Sequence, residues 1–381
     1  MTLPLAGIKI LTAAQLLPGG YCTTLLSDLG ADVIKIENPA GGDPLRIHPG
    51  HFAAFNRDNK SITIDLRTAR GKEICYKLVG QSHVFVEGYR PGVTARLGID
   101  YETLKGVNPR IIYASISGFG QQGPYRNKPA HDLTYQGIAG MLAGHVPEEG
   151  GGSNLPSVAI GDFSSGMFAA IAILAALHGL KESGRGQYID VAMTDGLVSW
   201  MSMRLIPGQK LAWKRQPNMN IYQTKDGKYL TLSIAFEPHF WRNLCQAINR
   251  EDLGEISIDE RQNRSEELFR LFTDTFRGKT REEWSQILTG ADVPHGPVYI
   301  APDEVLSDPQ LQYRGMVGEL EKIEGEGSIR DGARLSPMKS FGMPVRDGGK
   351  APLLGEHTEE ILLNLGYGSR EIEEMKKAKI V

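Results

Sequence analysis

The first forty residues of the chain contain a strand, a helix and a second strand in close succession. Residues 8–12 (I-K-I-L-T) and 31–37 (A-D-V-I-K-I-E) have the apolar runs typical of buried strands, and residues 21–29 predict a helix. This order, completed in about 30 residues, is that of a βαβ unit, whose two strands lie parallel. The sequence therefore predicts an α/β fold with a parallel sheet, where ligands bind at the carboxyl ends of the strands.

The rest of the chain extends this sheet and then changes character. Further strands are predicted at residues 61–66, 84–87, 111–116 and 188–192. A chain of 381 residues is too long for one ordinary core, which favours two domains. A hairpin around Asp226-Gly227, followed by three helical patterns and a strand, indicates a smaller α+β domain. We place the large domain at residues 1–207, a linker at 208–220, the small domain at 221–316 and a final section at 317–381.

Composition excludes several classes of protein. The net charge of −3 and the dispersed Lys and Arg residues argue against a nucleic-acid partner. The three cysteines are far apart, which argues against disulfides and a metal site and favours a reducing compartment. The first residues do not resemble a signal peptide, and the longest apolar segment, 166–177, is too short to span a bilayer. We therefore expect a cytoplasmic protein with no membrane partner.

A glycine-rich segment imitates a nucleotide-binding motif. Residues 118–123 (G-F-G-Q-Q-G) match G-x-G-x-x-G after a predicted strand. Pro124 follows directly, so no helix start is offered to a pyrophosphate, and the acidic residue expected further along the chain is missing. We reject NAD binding and expect this loop to line the wall of a pocket.

Four residues could carry acid–base or nucleophilic chemistry. His131 and Asp132 stand together where a helix is predicted to begin, Asp162 stands before a long apolar helix, and Glu237 stands at a strand end. Each also has an ordinary structural interpretation. The carboxylates would be helix caps or first-turn residues, and a lone histidine is more often structural than catalytic. Spacing alone cannot bring Glu237 to His131.

These residues occur among motifs that together resemble the family III CoA-transferases, the CaiB/BaiF superfamily, and within it most closely the α-methylacyl-CoA racemases. The resemblance runs from about residue 5 to residue 365. The motifs are L-S-D-L-G-A-D-V-I-K-I-E-N-P, N-K-S-I-T-I-D-L, G-Y-R-P-G-V-T-A-R-L-G-I, S-G-F-G-Q-Q-G-P-Y, H-D-L-T-Y-Q-G, A-I-G-D-F, G-R-G-Q-Y-I-D-V-A-M-T-D-G and P-L-L-G-E-H-T.

The resemblance implies a fold and an assembly. The large domain would be Rossmann-like, with a parallel sheet, and long linkers would join it to the smaller α+β domain. Residues 317–381 would return to the large domain. Two subunits would interlock like chain links as a homodimer.

The resemblance also implies two chemistries that diverge at residues 131 and 132. Racemases of this family carry His-Asp there, with a second aspartate supporting the histidine and a glutamate opposite; these match His131, Asp162 and Glu237. The preferred hypothesis is therefore a racemase that inverts the α-carbon of a 2-methylacyl-CoA by two-base proton transfer. The alternative is a CoA-transferase that moves CoA between carboxylic acids through an aspartyl anhydride at Asp132.

In either case the substrate is an acyl-CoA thioester. The resemblance implies no tightly bound cofactor and no metal, with CoA present as part of the substrate. Family positions suggest that CoA is bound by Gln15, Ile64, Arg67, Glu87, Arg90 and Arg96. The three arginines also follow predicted strands, where anionic ligands bind, although each alone would be an ordinary surface residue. Asn38 stands where racemases often have arginine, so the nucleotide contacts could differ.

Overall fold

The computed structural model describes residues 2–146, 155–208, 210–211, 215–317, 342–346 and 349–381. The chain divides into two compact units. One consists of Met1–Ala212 and Gln312–Val381, and the other of Trp213–Leu311. The expected linker, 208–220, lies partly outside the described residues, and most of the section from 317 to 348 lies outside them. The domain limits derived from the sequence stay predictions.

A six-stranded parallel sheet forms the centre of the first unit. Its strands are β1 (Lys9–Thr12), β2 (Asp32–Glu37), β3 (Lys60–Thr63), β4 (Val84–Glu87), β5 (Ile112–Ser117) and β6 (Tyr188–Ala192). They lie in the order β3-β2-β1-β4-β5-β6, and every neighbouring pair is parallel. The prediction of an α/β fold with a parallel sheet is confirmed. The order reverses direction between β1 and β4, which creates a crevice beside the carboxyl ends of these strands.

Eight helices accompany these strands in the described part of the chain up to residue 208. They are α1 (Leu16–Asp28), α2 (Pro49–Asn56), α3 (Ala69–Gly80), α4 (Val93–Leu97), α5 (Tyr101–Val107), α6 (Asp132–Ile138), α7 (Ile160–Ser183) and α8 (Met193–Trp200). Short 3-10 helices cover Pro44–Ile47, Met141–His145 and Ser202–Arg204.

Apolar residues are buried on both faces of the sheet. In β4, Val84 and Val86 belong to a core shared with α1 and α7, whereas Phe85 belongs to the core on the opposite face. Alternate residues of a strand point to opposite faces, so a central strand covered on both sides is buried throughout. All four residues of β4 are buried.

Helices α1 and α7 both begin earlier than the sequence indicates. Helix α1 begins at Leu16 and includes the Pro18-Gly19-Gly20 turn that we expected to precede it. Helix α7 begins at Ile160, so Asp162 lies in its first turn and is not its cap. The prediction that no segment is long enough to span a bilayer is wrong, since α7 is long and apolar enough to cross a membrane by length and composition. Helices in the core of a globular protein can be equally long and apolar, and Ala169 and Ile173 of α7 are fully buried.

The second unit is a small α+β structure. Antiparallel strands β7 (Met219–Gln223), β8 (Tyr229–Ser233) and β9 (His295–Val298) form its sheet, and the predicted hairpin joins the first two. Its helices are α9 (Pro238–Ala247), α10 (Ile258–Asn263), α11 (Ser265–Phe276), α12 (Arg281–Gly290) and α13 (Pro302–Leu306), with a 3-10 helix at Glu251–Leu253. Trp241, Phe272 and Phe276 are fully buried in its core.

The chain then continues through α14 (Pro309–Tyr313) and ends in two helices of the first unit, α15 (Thr358–Asn364) and α16 (Ser369–Lys377). These last helices pack on the core that contains Phe85. The three cysteines, Cys22, Cys75 and Cys245, are free thiols and are fully buried.

Candidate active site

A cleft of about 210 Å³ opens in the first unit at the point where the strand order reverses. Residues that follow β1, β4, β5 and β6 form its walls, so all four strands contribute their carboxyl ends. Parallel sheets bind ligands in this position because the loops after several strands converge there. The walls after β1 and β4 contain Gln15, Leu16, Pro18, Gly19, Gly88, Tyr89, Arg90 and Pro91.

The glycine-rich loop after β5 lines the cleft, as the sequence predicts. Gly118, Phe119 and Gly120 all contribute to the wall. A Cβ on Gly118 would clash with the phenol ring of Tyr135, so a side chain there would require that ring to move. The next helix after this loop is α6, which begins at Asp132. No helix begins at Gly123 that could receive a pyrophosphate.

Three cations surround the cleft. They are Arg90 from the loop after β4, and Arg126 and Lys128 from the segment before α6. Within the described part of the chain, none of the three forms an ion pair with a carboxylate. Sequence reasoning missed Arg126 and Lys128; the only signal was their place in Y-R-N-K, shortly before His131. An uncompensated set of cations makes the cleft attractive to an anionic ligand.

The Asp132 carboxylate is held at the N-terminus of α7. Its Oδ1 accepts hydrogen bonds from the backbone N–H of Gly161 at 2.6 Å and of Asp162 at 3.3 Å. Its Oδ2 accepts from the Nε2 of Gln136 at 2.5 Å. Helix N-termini leave their first N–H groups without partners inside the helix, and a carboxylate satisfies them well. Both oxygens of Asp132 therefore have fixed positions.

His131 is placed differently. It lines the cleft and precedes the first residue of α6, and its side chain is exposed. In the described residues its ring makes no hydrogen bond, and no hydrogen bond or ion pair joins it to Asp162. Asp162 also lines the cleft, on the first turn of α7. The structure thus brings the two residues to one cleft without the direct contact that an orienting carboxylate needs.

The Asp162 carboxyl is partly withdrawn from water. Burial, and then the negative charge of Asp132, raise the pKa of Asp162 from an ordinary 3.8 to about 7. Two carboxylates so close favour a state in which one of them keeps its proton. Near neutral pH, the cleft therefore holds Asp162 in a mixture of neutral and ionised forms.

This raised pKa makes the stability depend on pH. Between pH 4 and 7 the native state keeps the proton of Asp162 while the unfolded chain loses it, so this residue's contribution to stability falls as the pH rises. Asp162→Asn keeps the neutral shape at every pH. We therefore expect the free energy of unfolding of Asp162→Asn, relative to that of the native protein, to be about 2 kcal/mol higher at pH 8 than at pH 5. Urea titrations at the two pH values measure this difference. An equal gain at both pH values would contradict the raised pKa.

Glu237 belongs to the second compact unit, whereas His131 and Asp162 belong to the first. It directly precedes α9, and its Oε2 accepts a hydrogen bond from the Ala235 N–H at 3.1 Å. This contact closes the turn between β8 and α9. Its predicted role opposite His131 stays a prediction.

Of the residues expected to bind CoA, Gln15 and Arg90 line the cleft. Ile64 does not: it is 2% exposed and packs in the core just after β3. Arg67 lies on the surface and pairs with Asp65 at 2.8 Å. Arg96 is exposed on α4.

Glu87 orients a loop of the cleft without lining the cleft itself. It ends β4, is 2% exposed, and accepts a hydrogen bond from the Tyr89 N–H at 2.7 Å. Burial raises the pKa of Glu87 to about 7. Its carboxyl therefore shapes the loop that carries Arg90, although it is not part of the cleft wall. CoA contacts by Ile64, Arg67, Glu87 and Arg96 stay predictions.

Known proteins resemble the chain over nearly all of its length. Residues 5–358 match the model of CoA-transferase family III. The succinate–glutarate CoA-transferase of Agrobacterium fabrum is 33% identical, covering 95% of this chain and 96% of that protein. The human succinyl-CoA:glutarate CoA-transferase is 31% identical over 99% of this chain and 90% of its own. The formyl-CoA:oxalate CoA-transferase of Escherichia coli O157:H7 is 30% identical, with 99% of both chains covered.

Solved structures show the same relationship. The crystal structure of Rv3272 from Mycobacterium tuberculosis superimposes with a TM-score of 0.79 and 31% identity, covering 95% of this chain and 99% of that one. A CaiB/BaiF family protein from Brucella suis gives a TM-score of 0.78 and 28% identity, with 96% and 100% covered. The sequence-based resemblance is confirmed at the level of the family. The chain belongs to CoA-transferase family III, a family of enzymes that act on CoA thioesters.

Proposed function

We propose that this protein transfers CoA from an acyl-CoA to a free carboxylic acid, with Asp132 as the nucleophile. The observation that carries the proposal is the hydrogen bonding of the Asp132 carboxylate, whose two oxygens are oriented by Gly161, Asp162 and Gln136. Among the described residues, the neighbouring His131 has no such support. The relatives described above are named as CoA-transferases, which favours our alternative hypothesis over the racemase that we preferred from the sequence.

The reaction proceeds by exchange at three carbonyl carbons, those of the donor acyl group, of Asp132 and of the acceptor. Asp132 Oδ2 attacks the thioester carbonyl of R–CO–S–CoA, which forms a mixed anhydride and releases the CoA thiolate. The thiolate attacks the aspartyl carbonyl, which releases R–COO⁻ and leaves CoA as a thioester on Asp132. The acceptor R′–COO⁻ attacks this thioester, which forms a second anhydride and frees the thiolate again. The thiolate then attacks the R′ carbonyl, which yields R′–CO–S–CoA and restores the Asp132 carboxylate.

The N-terminus of α7 gives this sequence an oxyanion site. When the thiolate or the acceptor attacks the aspartyl carbonyl, negative charge develops on the oxygen that remains there. We assign this oxygen to Oδ1, because the Gly161 and Asp162 N–H groups already point at it. Donors fixed in place before the reaction stabilise such charge without reorganisation.

The cations of the cleft suit the anions that this reaction uses. Arg90, Arg126 and Lys128 can receive CoA phosphates, the leaving thiolate and the carboxylate of the acceptor. The named relatives act on succinate, glutarate or oxalate, which all carry two carboxylates. We therefore propose dicarboxylic acids as the first acceptors to examine.

The deciding experiment is a single assay in D₂O with and without an acceptor acid. The enzyme is incubated with succinyl-CoA, with a chiral 2-methylacyl-CoA, and with glutarate or oxalate as acceptor. We expect CoA transfer only when the acceptor is present, and no deuterium at the α-carbon of the recovered 2-methyl thioester. Acceptor-independent deuterium exchange with loss of chirality would support the racemase and contradict the transferase.

The racemase remains the second candidate because of one observation. The His131 side chain is exposed in the cleft and is free of hydrogen bonds among the described residues, so it could accept a proton from a bound substrate. This function needs Glu237 as the second base. His131→Ala should abolish any α-exchange while leaving CoA transfer within about tenfold of the native rate.

Gly161 offers a test of how closely Asp132 must be held. A Cβ at this position would lie 2.8 Å from Asp132 Oδ1 and 3.3 Å from Leu197 Cδ1. Gly161→Ala should push the carboxylate off its two N–H donors and reduce kcat for CoA transfer by about 10²-fold, the usual effect of losing an oxyanion donor. Gly179→Ala, on the same helix with open space around the new methyl group, is the control and should leave kcat unchanged.

We also retain the homodimer as a proposal. Exposed apolar side chains recur from the end of α8 to just after the 3-10 helix that follows it, where Trp200, Met203, Leu205 and Ile206 are 46–71% exposed. When exposed apolar side chains form a contiguous patch, the patch often marks a protein–protein contact. Light scattering of the purified protein should give twice the chain mass of 41.8 kDa. A single-chain mass at micromolar concentration would contradict the dimer. The interlocked arrangement and the cytoplasmic location stay predictions.

A further inference from the structure

The loop between β1 and α1 forms one wall of the cleft and has an unfavourable backbone. Leu16 has φ +61°, in the left-handed region that residues other than glycine rarely adopt. Both Leu16 and the preceding Gln15 line the cleft. A strained conformation persists only when neighbouring groups hold it in place.

Two buried side chains hold this loop on either side of Gln15. Lys35 of β2 donates from Nζ to the Ala14 carbonyl oxygen at 2.8 Å and pairs with Asp43 Oδ2 at 2.7 Å. Asp43 in turn accepts from the Leu16 N–H at 3.1 Å. The Lys35 and Asp43 side chains are 1% and 0% exposed. One ion pair therefore fixes the chain before Gln15 and after it.

Asp43 is itself held firmly. It accepts a hydrogen bond from the Leu45 N–H at 2.9 Å, and its own N–H donates to Glu37 Oε1 at 3.0 Å. Glu37 pairs with Arg46 at 2.6 Å and accepts from the Ser61 hydroxyl at 2.6 Å. The position of the loop is thus tied to the end of β2 and to the first part of β3.

A contribution to the stability of the fold does not by itself explain why this buried ion pair is present. Moving two charges out of water costs about as much as their attraction returns, and apolar residues of similar size often do as well. The geometry points to a different role. We propose that the Lys35–Asp43 ion pair is a positioning device that sets Gln15 in the cleft and thereby sets the affinity for CoA.

The inference rests on one part of the proposed function, that the cleft binds a CoA thioester, and not on which reaction follows. If Asp43 acts through Gln15, removing Gln15 should remove most of the effect of changing Asp43. Asn at position 43 still accepts from the Leu45 and Leu16 N–H groups. It does not neutralise Lys35, so the hold on the Ala14 carbonyl should loosen.

The test is a double-mutant cycle read by calorimetric titration with CoA itself. We expect Asp43→Asn and Gln15→Ala each to raise the Kd for CoA about tenfold, and the double variant to bind within about threefold of Gln15→Ala. The KM for the acyl-CoA should rise in parallel, while kcat stays within about threefold of the native value. If Asp43→Asn does not fold, Lys35→Met replaces it in the same cycle, because it removes the contact with the Ala14 carbonyl.

A second buried ion pair provides the control. Arg57 and Asp28 are 2.6 Å apart, with side chains 6% and 2% exposed, and neither lines the cleft. Asp28→Asn should lower the unfolding midpoint and leave the Kd for CoA unchanged. An unchanged Kd in Asp43→Asn, or an equal effect of Asp43→Asn with and without Gln15, would overturn the positioning role. A different result would contradict Asp132 as the nucleophile, namely that Asp132→Asn retains CoA transfer.

Discussion

Asp132→Asn should reduce CoA transfer by at least about 10³-fold, as expected for loss of a nucleophile that no neighbour replaces. The amide can still accept the Gly161 N–H through its oxygen, so the fold and the cleft should persist. Transfer is measured by chromatography of the acyl-CoA products with a saturating acceptor. Hydroxylamine added during turnover should modify residue 132 in the native enzyme and leave the variant unmodified.

The neighbouring residue provides the matched comparison. His131→Ala alters the same turn, one position earlier, and should keep transfer within about tenfold of the native rate, since a histidine without hydrogen-bond partners among the described residues contributes no more than positioning here. A variant Asp132→Asn that retained transfer, or a native enzyme that hydroxylamine modified elsewhere, would contradict the assignment of Asp132.

Gly166→Ala should be among the most destabilising single-methyl substitutions in the first unit. Its Cβ would lie 2.6 Å from the Pro18 carbonyl oxygen and 3.2 Å from the Cys22 nitrogen, both in the backbone of α1. A backbone cannot turn aside as a side chain does, so α1 and α7 must separate. We expect a loss of about 2–3 kcal/mol in the free energy of unfolding, measured by urea titration.

Helix α7 also contains a control position, where the same substitution should raise the free energy of unfolding instead of lowering it. Gly179 has no atom within 4 Å of the position of an added Cβ, and Gly179→Ala should stabilise the protein by up to about 1 kcal/mol through helix propensity. Equal effects at the two sites would show that α1 and α7 do not pack as described. Gly166→Ala should also reduce CoA transfer, because α1 carries Gly19 of the cleft and α7 carries the donors to Asp132.

The sequence was sufficient for the sheet because buried strands are identified by their own residues. The apolar runs of β1, β2 and β4 and the turn at Asp226-Gly227 were recognisable locally. The starts of α1 and α7 were not, because distant side chains determine them. Asp43 accepts the Leu16 N–H from 27 residues away, and Asp132 accepts the Gly161 N–H from 29 residues away. Local capping rules cannot anticipate such partners.

The candidate site was likewise only partly predictable from the sequence. Asp132 and His131 were found through the motif H-D-L-T-Y-Q-G, but the motif does not say which of the two is held by other groups. That information lies in the N-terminus of α7. Arg126 and Lys128 were missed because two isolated cations in a loop form no pattern; only the folded chain places them beside Arg90.

The burial of all three cysteines has a practical consequence for measuring this enzyme. Burial raises the pKa of Cys22, Cys75 and Cys245 to about 12, so almost no protein thiolate exists at pH 8. A chromogenic disulfide reagent added to the native protein should therefore count CoA thiols freed by thioester hydrolysis with little background, whereas complete transfer returns CoA to a thioester. Alkylation followed by mass spectrometry would report unfolding separately, through Cys22 and Cys75 for the first unit and Cys245 for the second.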